Sequence, residues 1–507
     1  MLEYISEITV QGTSMNPRLK AGDIVTISPQ SQYAIGDIVL FPYKDEGLII
    51  HRIVKIENGS YFCKGDNSFR LEQLEYGQIQ GKATFVSRGD QKWEIGSDDK
   101  NEIEKFCNLS LKVHYIALRA QWNMQKIRQD ETYQLYEKEY LKPEDAKNHT
   151  LVFQMLRALY GKGEFDTMAI RQNLSELLTI FRYHDILELL SSIPLLDEAV
   201  YANAKLRRSV NQASHQLRLA LMQPVFDEIP FPYAVIKGLA LARMAYTNES
   251  YRCSTDVDLL IDRVNVKRME DILRQNGFIQ GRVNSQGEIV AYTREERLFY
   301  LTTSHQTAPF IKLTDDRRMP YLCVDINFKI VWGEYEGNAI GINEFLTDRE
   351  WLACDTYHKG GFFTLTPEKT LIQYCLHNYK EINSLYLLTI HNSISLRGFC
   401  DVYGLIKKCN LNMKKVAEIA EQYHIQNYLY TVLYFTAKVF DDPDLLCFFN
   451  DIDLLDDPNQ FGLTKAERKT WPVNFEERLF SQNRLALIQP LLTKAEQDKI
   501  QANKRYL

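Results

Sequence analysis

The stretch KGLALARMAYTNESYRCSTDVDL, residues 237–259, decides how the larger part of this chain is read. It sets a Lys237-Gly238 turn ahead of Asp256-Val257-Asp258, and Leu259, Leu260 and Ile261 follow directly. Acids two apart beside an apolar run read as the start of a buried strand, where alternate side chains share a face, so both carboxylates address one site. Further along, Leu322, Val324, Ile326 and Phe328 alternate with Cys323, Asp325 and Asn327. Asp325 is therefore expected to face the same cleft from a neighbouring strand. An Asp-x-Asp pair alone is an ordinary strand feature; the upstream turn and the patterned third acid make this one a candidate site.

Three carboxylates converging from two strands suit a hard divalent cation, magnesium or manganese, which prefers oxygen ligands and keeps substrate phosphates in its shell. Two such ions about 3.5–4 Å apart can activate an attacking oxygen and stabilise a leaving one. On Gly238, the Asp-Val-Asp pair and the later Asp325, this part resembles the DNA polymerase beta-type nucleotidyltransferase superfamily. The run Lys237-Gly238, Tyr246, Arg252 and Asp256-Val-Asp258-Leu-Leu is similar, more closely, to a bacterial branch of uncharacterised nucleotidyltransferases with long flanking helices. That resemblance implies a nucleoside triphosphate substrate, with Asp256 and Asp258 holding metal and triphosphate. Asp325 would bind a second ion or deprotonate the acceptor. Lys237, Gly238 and Arg252 would contact the nucleotide, a cation there neutralising charge that develops during transfer. His377 and Asp401 fall where the branch often carries a histidine and an aspartate and are secondary candidates. His305, in Ser304-His305-Gln306, is another, against the plain reading of a solvated loop histidine.

Residues 1–95 are of a different kind. Short β-branched runs (Glu7–Val10, Asp23–Ile27, Asp37–Phe41) are punctuated by Gly22-Asp23, Gly36-Asp37 and Asn58-Gly59, which predicts a small all-β domain. Serine is a weak nucleophile until a base takes its proton, histidine can do so near neutrality, and a carboxylate can fix its tautomer. Ser14, His51 and Asp66 could supply these roles. Singly they read as a turn cap, a sheet histidine and an Asx-turn. In order, Ser14-Met15-Asn16-Pro17, Gly22-Asp23, Gly36-Asp37-Ile-Val39, His51-Arg52 and Gly65-Asp66-Asn67 resemble the signal peptidase and LexA-like serine peptidase clan. Histidine at the base position is similar to the endoplasmic-reticulum and archaeal type. The resemblance implies Ser14 as nucleophile, His51 as base, Asp66 as its orienting acid and the Ser14 N–H as an oxyanion donor. Without a membrane anchor, a soluble peptide or an internal bond is the expected substrate.

At 507 residues the chain is expected to hold two to four domains. A net charge of −6 gives no support for non-specific nucleic-acid or membrane binding. Nine dispersed cysteines without a C-x-x-C pair read as reduced thiols of a cytoplasmic protein, not a disulfide framework or zinc site. The start MLEYISEITVQ does not read as a signal peptide, and no apolar run reaches the roughly 18 residues of a membrane span. Polar residues 88–99 mark the first boundary. Residues 101–230 follow as a helical region packing on the transferase, then an α/β core over 231–345 and a helical part over 346–507. Within these, helices are predicted over Val264–Asn276, from Thr366-Pro367 onward, and as a core helix over Tyr428–Phe440.

The fold expectation is multidomain: a small all-β peptidase-like domain, then an α/β nucleotidyltransferase domain embedded in helices. The expected function is bifunctional, metal-dependent nucleotidyl transfer joined to serine endopeptidase activity in peptide or protein maturation. Two alternatives stay open at this point. One is a regulatory or toxin–antitoxin-type nucleotidyltransferase acting on RNA or protein, with a self-cleaving or inactive peptidase domain. The other is a non-catalytic binding scaffold.

Overall fold

The computed structural model describes residues 6–504 apart from 12–13, 21, 44–46, 89–90, 97–98, 121, 123–126, 128–129, 142–145, 194–197, 285, 331–339, 355–359, 391–393, 450–456, 465 and 482–483. Part of the 88–99 junction lies outside the described residues. The chain divides into two compact units, one of residues 1–152, 165–182 and 195–202, the other of 153–164, 183–194 and 203–507.

The first unit is built on an antiparallel sheet of β1 (Ser6–Thr9), β2 (Ile24–Ser28), β3 (Ile38–Pro42), β4 (Leu48–Glu57), β5 (Ser60–Lys64), β6 (Leu71–Leu74), β7 (Gly81–Arg88) and β8 (Gln91–Glu94). The order is β1-β2-β7-β3-β4-β5-β6, with β8 on β7. Ile38 and Leu40 enter one apolar cluster while Val39 and Phe41 enter another, so β3 is buried on both faces. Asn58 and Gly59 both take positive φ, which is the two-residue turn that β4 and β5 need to close as a hairpin.

Helices complete this unit. α1 (Lys100–Arg119) starts where the Asp99 carboxylate caps the Asn101 N–H. Val113, Ile116 and Ala117 of α1 join Tyr133 and Tyr136 of α2 (Glu131–Tyr136) over Phe69 and Phe106. Polar bonds fasten the helices to the loop after β5: Tyr136 donates to the Asp66 carbonyl, His114 Nδ1 lies 2.7 Å from the Phe69 carbonyl, and Lys64 Nζ donates to Ser110 Oγ at 2.9 Å. The helical stretch 101–230 is thus divided between the units, because the apolar face of α1 meets the β domain.

The second unit holds a mixed sheet of β9 (Tyr233–Ile236), β10 (Asp256–Ile261), β11 (Ile279–Val283), β12 (Ile289–Ala291), β13 (Phe310–Leu313), β14 (Tyr321–Asn327), β15 (Arg349–Ala353) and β16 (Gly361–Leu365). Its order is β12-β11-β13-β14-β10-β9-β16-β15, so the sheet runs on past residue 345. β10 pairs in parallel with β14 and antiparallel with β9. Around it lie α3 (Glu198–Glu228), α4 (Gly238–Met244), α5 (Val266–Gln275), α6 (Pro367–Asn383), α7 (Leu396–Cys409) and α8 (Gln426–Phe440). Pro230 and Pro232 follow α3 and admit no helix before β9. Thr366 precedes α6 as expected, but its hydroxyl makes no cap bond. α8 is a core helix, and no described helix is long and apolar enough to cross a membrane. None of the nine cysteines forms a disulfide among the described residues.

The bond from Tyr136 generates a test. Tyr136→Phe leaves the buried Asp66 carbonyl short of a donor, a loss of about 1 kcal/mol, or roughly fivefold in local opening. Amide exchange of Asn67 and Ser68 is expected to accelerate by about that factor; unchanged exchange would show that α2 does not fasten this loop.

Candidate active sites

In the second unit, the carboxylates follow from strand register. Asp258 lies directly opposite Asp325 across the parallel β10–β14 pair, and Asp256 sits two residues earlier on the same face. Burial, then Asp258 and Asp256, pushes the Asp325 carboxyl up to about 8; burial and Asp258 raise Asp256 as well. Asp258 Oδ1 accepts from Lys237 Nζ at 2.8 Å and Asn327 Nδ2 at 3.0 Å. Lys237 reaches it from a strained backbone, φ 54° and ψ −129°, at the turn from β9 into α4. At Gly238 a Cβ would stand 2.4 Å from Ser254 Oγ, so this position takes glycine for close approach and not for φ.

Lys237 and Asn327, the two donors to Asp258, also line a cavity of about 30 Å³ together with Lys329, Lys380, His305 and His377, among others. That is room for about one water or a bare ion. Burial first, then neighbouring lysines, hold both imidazoles well below their ordinary pKa, so they are neutral. Asn327, Lys329 and Lys380 escaped the sequence reading. Asn327 shows in the same alternation as Asp325; the lysines have no local signature.

Two expected site residues do other work. Arg252 Nε donates to both oxygens of Asp401, at 3.0 and 3.1 Å, and its Nη1 reaches the Gly238 carbonyl at 3.3 Å. Tyr246 and Tyr374 also donate to Asp401, which is fully buried. Arg252, the expected nucleotide contact, is held by this pairing with Asp401 and does not line the cavity. Behind Asp256, the buried Arg218 of α3 donates to the Ser254 carbonyl at 2.7 Å.

The chemistry of the donor set fits a hard divalent cation: three carboxylates, two with raised pKa, and an Asp325 Oδ1 that is buried without a hydrogen-bond partner among the described residues. Among the described residues no three His, Cys, Asp or Glu side chains stand close enough together to ligate one ion as they are. Lys237 holds Asp258 in the geometry seen.

The β unit carries a hydrogen-bonded chain. Ser14 Oγ lies 3.0 Å from His51 Nε2, and His51 Nδ1 lies 2.9 Å from Glu72 Oε2. Because an ionised carboxylate only accepts, Nδ1 carries the proton and Nε2 is left to accept from serine. Arg70 Nε donates to the other Glu72 oxygen at 2.7 Å. Asp66 was the expected orienting acid, but both its oxygens are held by Arg52, at 2.9 and 2.7 Å. Glu72, on β6 and paired with Cys63 of β5, is the carboxylate that meets the His51 ring, and only the strand register exposes it. Asp66 instead shapes the loop, in which Asn67 N–H donates to the Ser14 carbonyl at 2.6 Å. A Cβ on Gly65 would come within 2.9 Å of His51 Nε2 and 2.6 Å of the Ser14 carbonyl, so only glycine fits beside this pair.

The raised carboxyl at Asp325 gives a signed expectation. A buried acid whose folded pKa exceeds its unfolded value binds more protons when folded, so it lowers stability as pH rises from about 4 to 8. Without added metal, Asp325→Asn is expected to stabilise the second unit by about 1–3 kcal/mol at pH 8, and by less near pH 5. Equal thermal denaturation of the two proteins at pH 8 would contradict the crowding of charge.

Two family models match the chain. Residues 5–84 match a family model described as Peptidase S24-like, which covers β1 to β6 and the first half of β7. No curated protein matches the chain. A family model described as uncharacterised nucleotidyltransferase matches residues 164–441, more than half of the chain, and spans every strand of the mixed sheet. The chain therefore belongs to this uncharacterised nucleotidyltransferase family and carries an S24 peptidase-like domain ahead of it.

Proposed function

We propose that the second unit transfers a nucleotidyl group from a nucleoside triphosphate to an acceptor, that the first is a serine endopeptidase, and that the two act in maturation of a peptide or protein. The observation that carries the transferase half is the register placing Asp258 opposite Asp325, with Asp256 on the same face and with Lys237, the donor to Asp258, lining a cavity shared with Lys329 and Lys380.

Asp256, Asp258 and Asp325 would hold magnesium or manganese, which when bound supplies positive charge to the triphosphate. Lys237 then leaves Asp258 and turns to phosphate oxygen, together with Lys329 and Lys380. Preorganised cations of this kind stabilise charge that grows in the transition state. The Arg252–Asp401 brace fixes the Gly238 turn and keeps the carboxylates in register during this exchange. In the first unit His51 takes the proton from Ser14 as it attacks a peptide carbonyl, and Glu72, steadied by Arg70, holds the imidazole.

Incubation with magnesium, each labelled nucleoside triphosphate and a cell lysate tests the transferase. Label is expected on a peptide, protein or RNA with the wild type only, and to fall by about 10³-fold or more in Asp256→Ala/Asp258→Ala. Equal labelling by the two, or none with any nucleotide, would sink the transferase reading. For the peptidase, fluorophosphonate labelling of Ser14 is expected to vanish in Ser14→Ala and to drop about 10²–10⁴-fold in Glu72→Gln. Full labelling of Glu72→Gln would remove Glu72 from the mechanism.

A further inference from the structure

Lys237 combines a costly backbone with a buried charge. Between β9 and α4 it takes φ 54° and ψ −129°, a conformation that a residue with a side chain adopts only where its surroundings over-determine it. Its ammonium donates to Asp258 Oδ1 at 2.8 Å, with the two side chains 13% and 4% exposed. Burial works against this charge, and Asp258, Asp256 and Asp325 outweigh burial in holding it. All three acids of the site thus act on one cation that belongs to the chain itself.

Two further observations set this cation against a metal ion. Asp258 Oδ1 is shared by Lys237 and by Asn327 Nδ2, the latter at 3.0 Å, so an ion approaching that oxygen has to displace a donor. Register brings Asp256, Asp258 and Asp325 to one face, yet among the described residues no three His, Cys, Asp or Glu side chains stand close enough together to ligate one ion. Lys237 also has an alternative partner within reach. It lines the same cavity as Lys329 and Lys380, so an anion drawn to these lysines offers its ammonium charged oxygens in place of Asp258.

We propose that Lys237 is an internal stand-in for the metal: in the resting site it neutralises the carboxylates and keeps a divalent ion out, and it yields when a triphosphate draws it away. Metal then enters with the nucleotide and not before it, which guards the site against idle metal binding. The inference rests on the nucleotidyl-transfer reading for the identity of the anion, whereas the exclusion of metal by Lys237 does not need it.

Mn²⁺ binding to the full chain, read by electron paramagnetic resonance with and without a non-hydrolysable triphosphate analogue, compares wild type with Lys237→Met and Lys237→Gln. The Gln amide still donates to a carboxylate, which spares the fold if Met strands Asp258. Without the analogue both variants are expected to bind Mn²⁺ about tenfold more tightly than wild type, within the ordinary range of coupling between two ligands. With the analogue that gain is expected to vanish or reverse, because the wild-type lysine has already left Asp258 for phosphate. No gain in either variant without the analogue would overturn the exclusion. Where the analogue tightens Mn²⁺ on the wild type, an equal gain with and without it would overturn the release, since Lys237 would then be a general repulsive charge. Variants that gain while no protein responds to the analogue would overturn the triphosphate reading and leave Lys237 as the occupant of the metal's place.

Discussion

The buried ion pair between Arg252 and Asp401 is the constraint on which the transferase unit is arranged. Two charges removed from water are tolerable only when their remaining hydrogen-bonding capacity is met. Here Tyr246 and Tyr374 complete the shell of Asp401, while Arg252 turns its remaining arm to the Gly238 carbonyl. One cluster thereby ties α4, the loop into β10, α6 and α7. Removing either charge would strand the other in the interior, a penalty of about 3–5 kcal/mol that falls on the turn presenting Lys237 and on the strand presenting the carboxylates.

A similar arrangement recurs in the β unit. Arg52 and Asp66 form a buried bidentate pair, and the loop they hold brings Gly65 against Ser14 and His51. In both units, then, an arginine–aspartate pair supplies the geometry, beside Asp256, Asp258 and Asp325 in one and beside Ser14, His51 and Glu72 in the other. Pairing the brace internally keeps its charges from competing with substrate, which is what a site that must receive phosphate or shift a proton requires.

The division between what the sequence disclosed and what it hid follows the same line. β10 and β14 were legible because strand alternation is local, and it placed Asp258 and Asp325 on one face before any contact was known. The serine and histidine of the β unit were legible through their spaced motifs. Which carboxylate meets the imidazole and which meets Arg52 was not, since Asp66 and Glu72 are both acids near the loop and only the β5–β6 register and the reach of Arg52 sort them. The partner of Arg252 was hidden for the same reason: Asp401, which holds it, lies 149 positions away. α1 showed an apolar face but nothing in its periodicity named the surface it covers.

The central claim is that Asp256, Asp258 and Asp325 together bind a divalent cation with a nucleoside triphosphate. Electron paramagnetic resonance of Mn²⁺ titrated into the full chain, with and without a non-hydrolysable triphosphate analogue, addresses it most directly. Binding that tightens with the analogue and disappears in Asp256→Ala/Asp258→Ala is the expected result. Mn²⁺ bound equally by wild type and variant, or indifferent to the analogue, would contradict it.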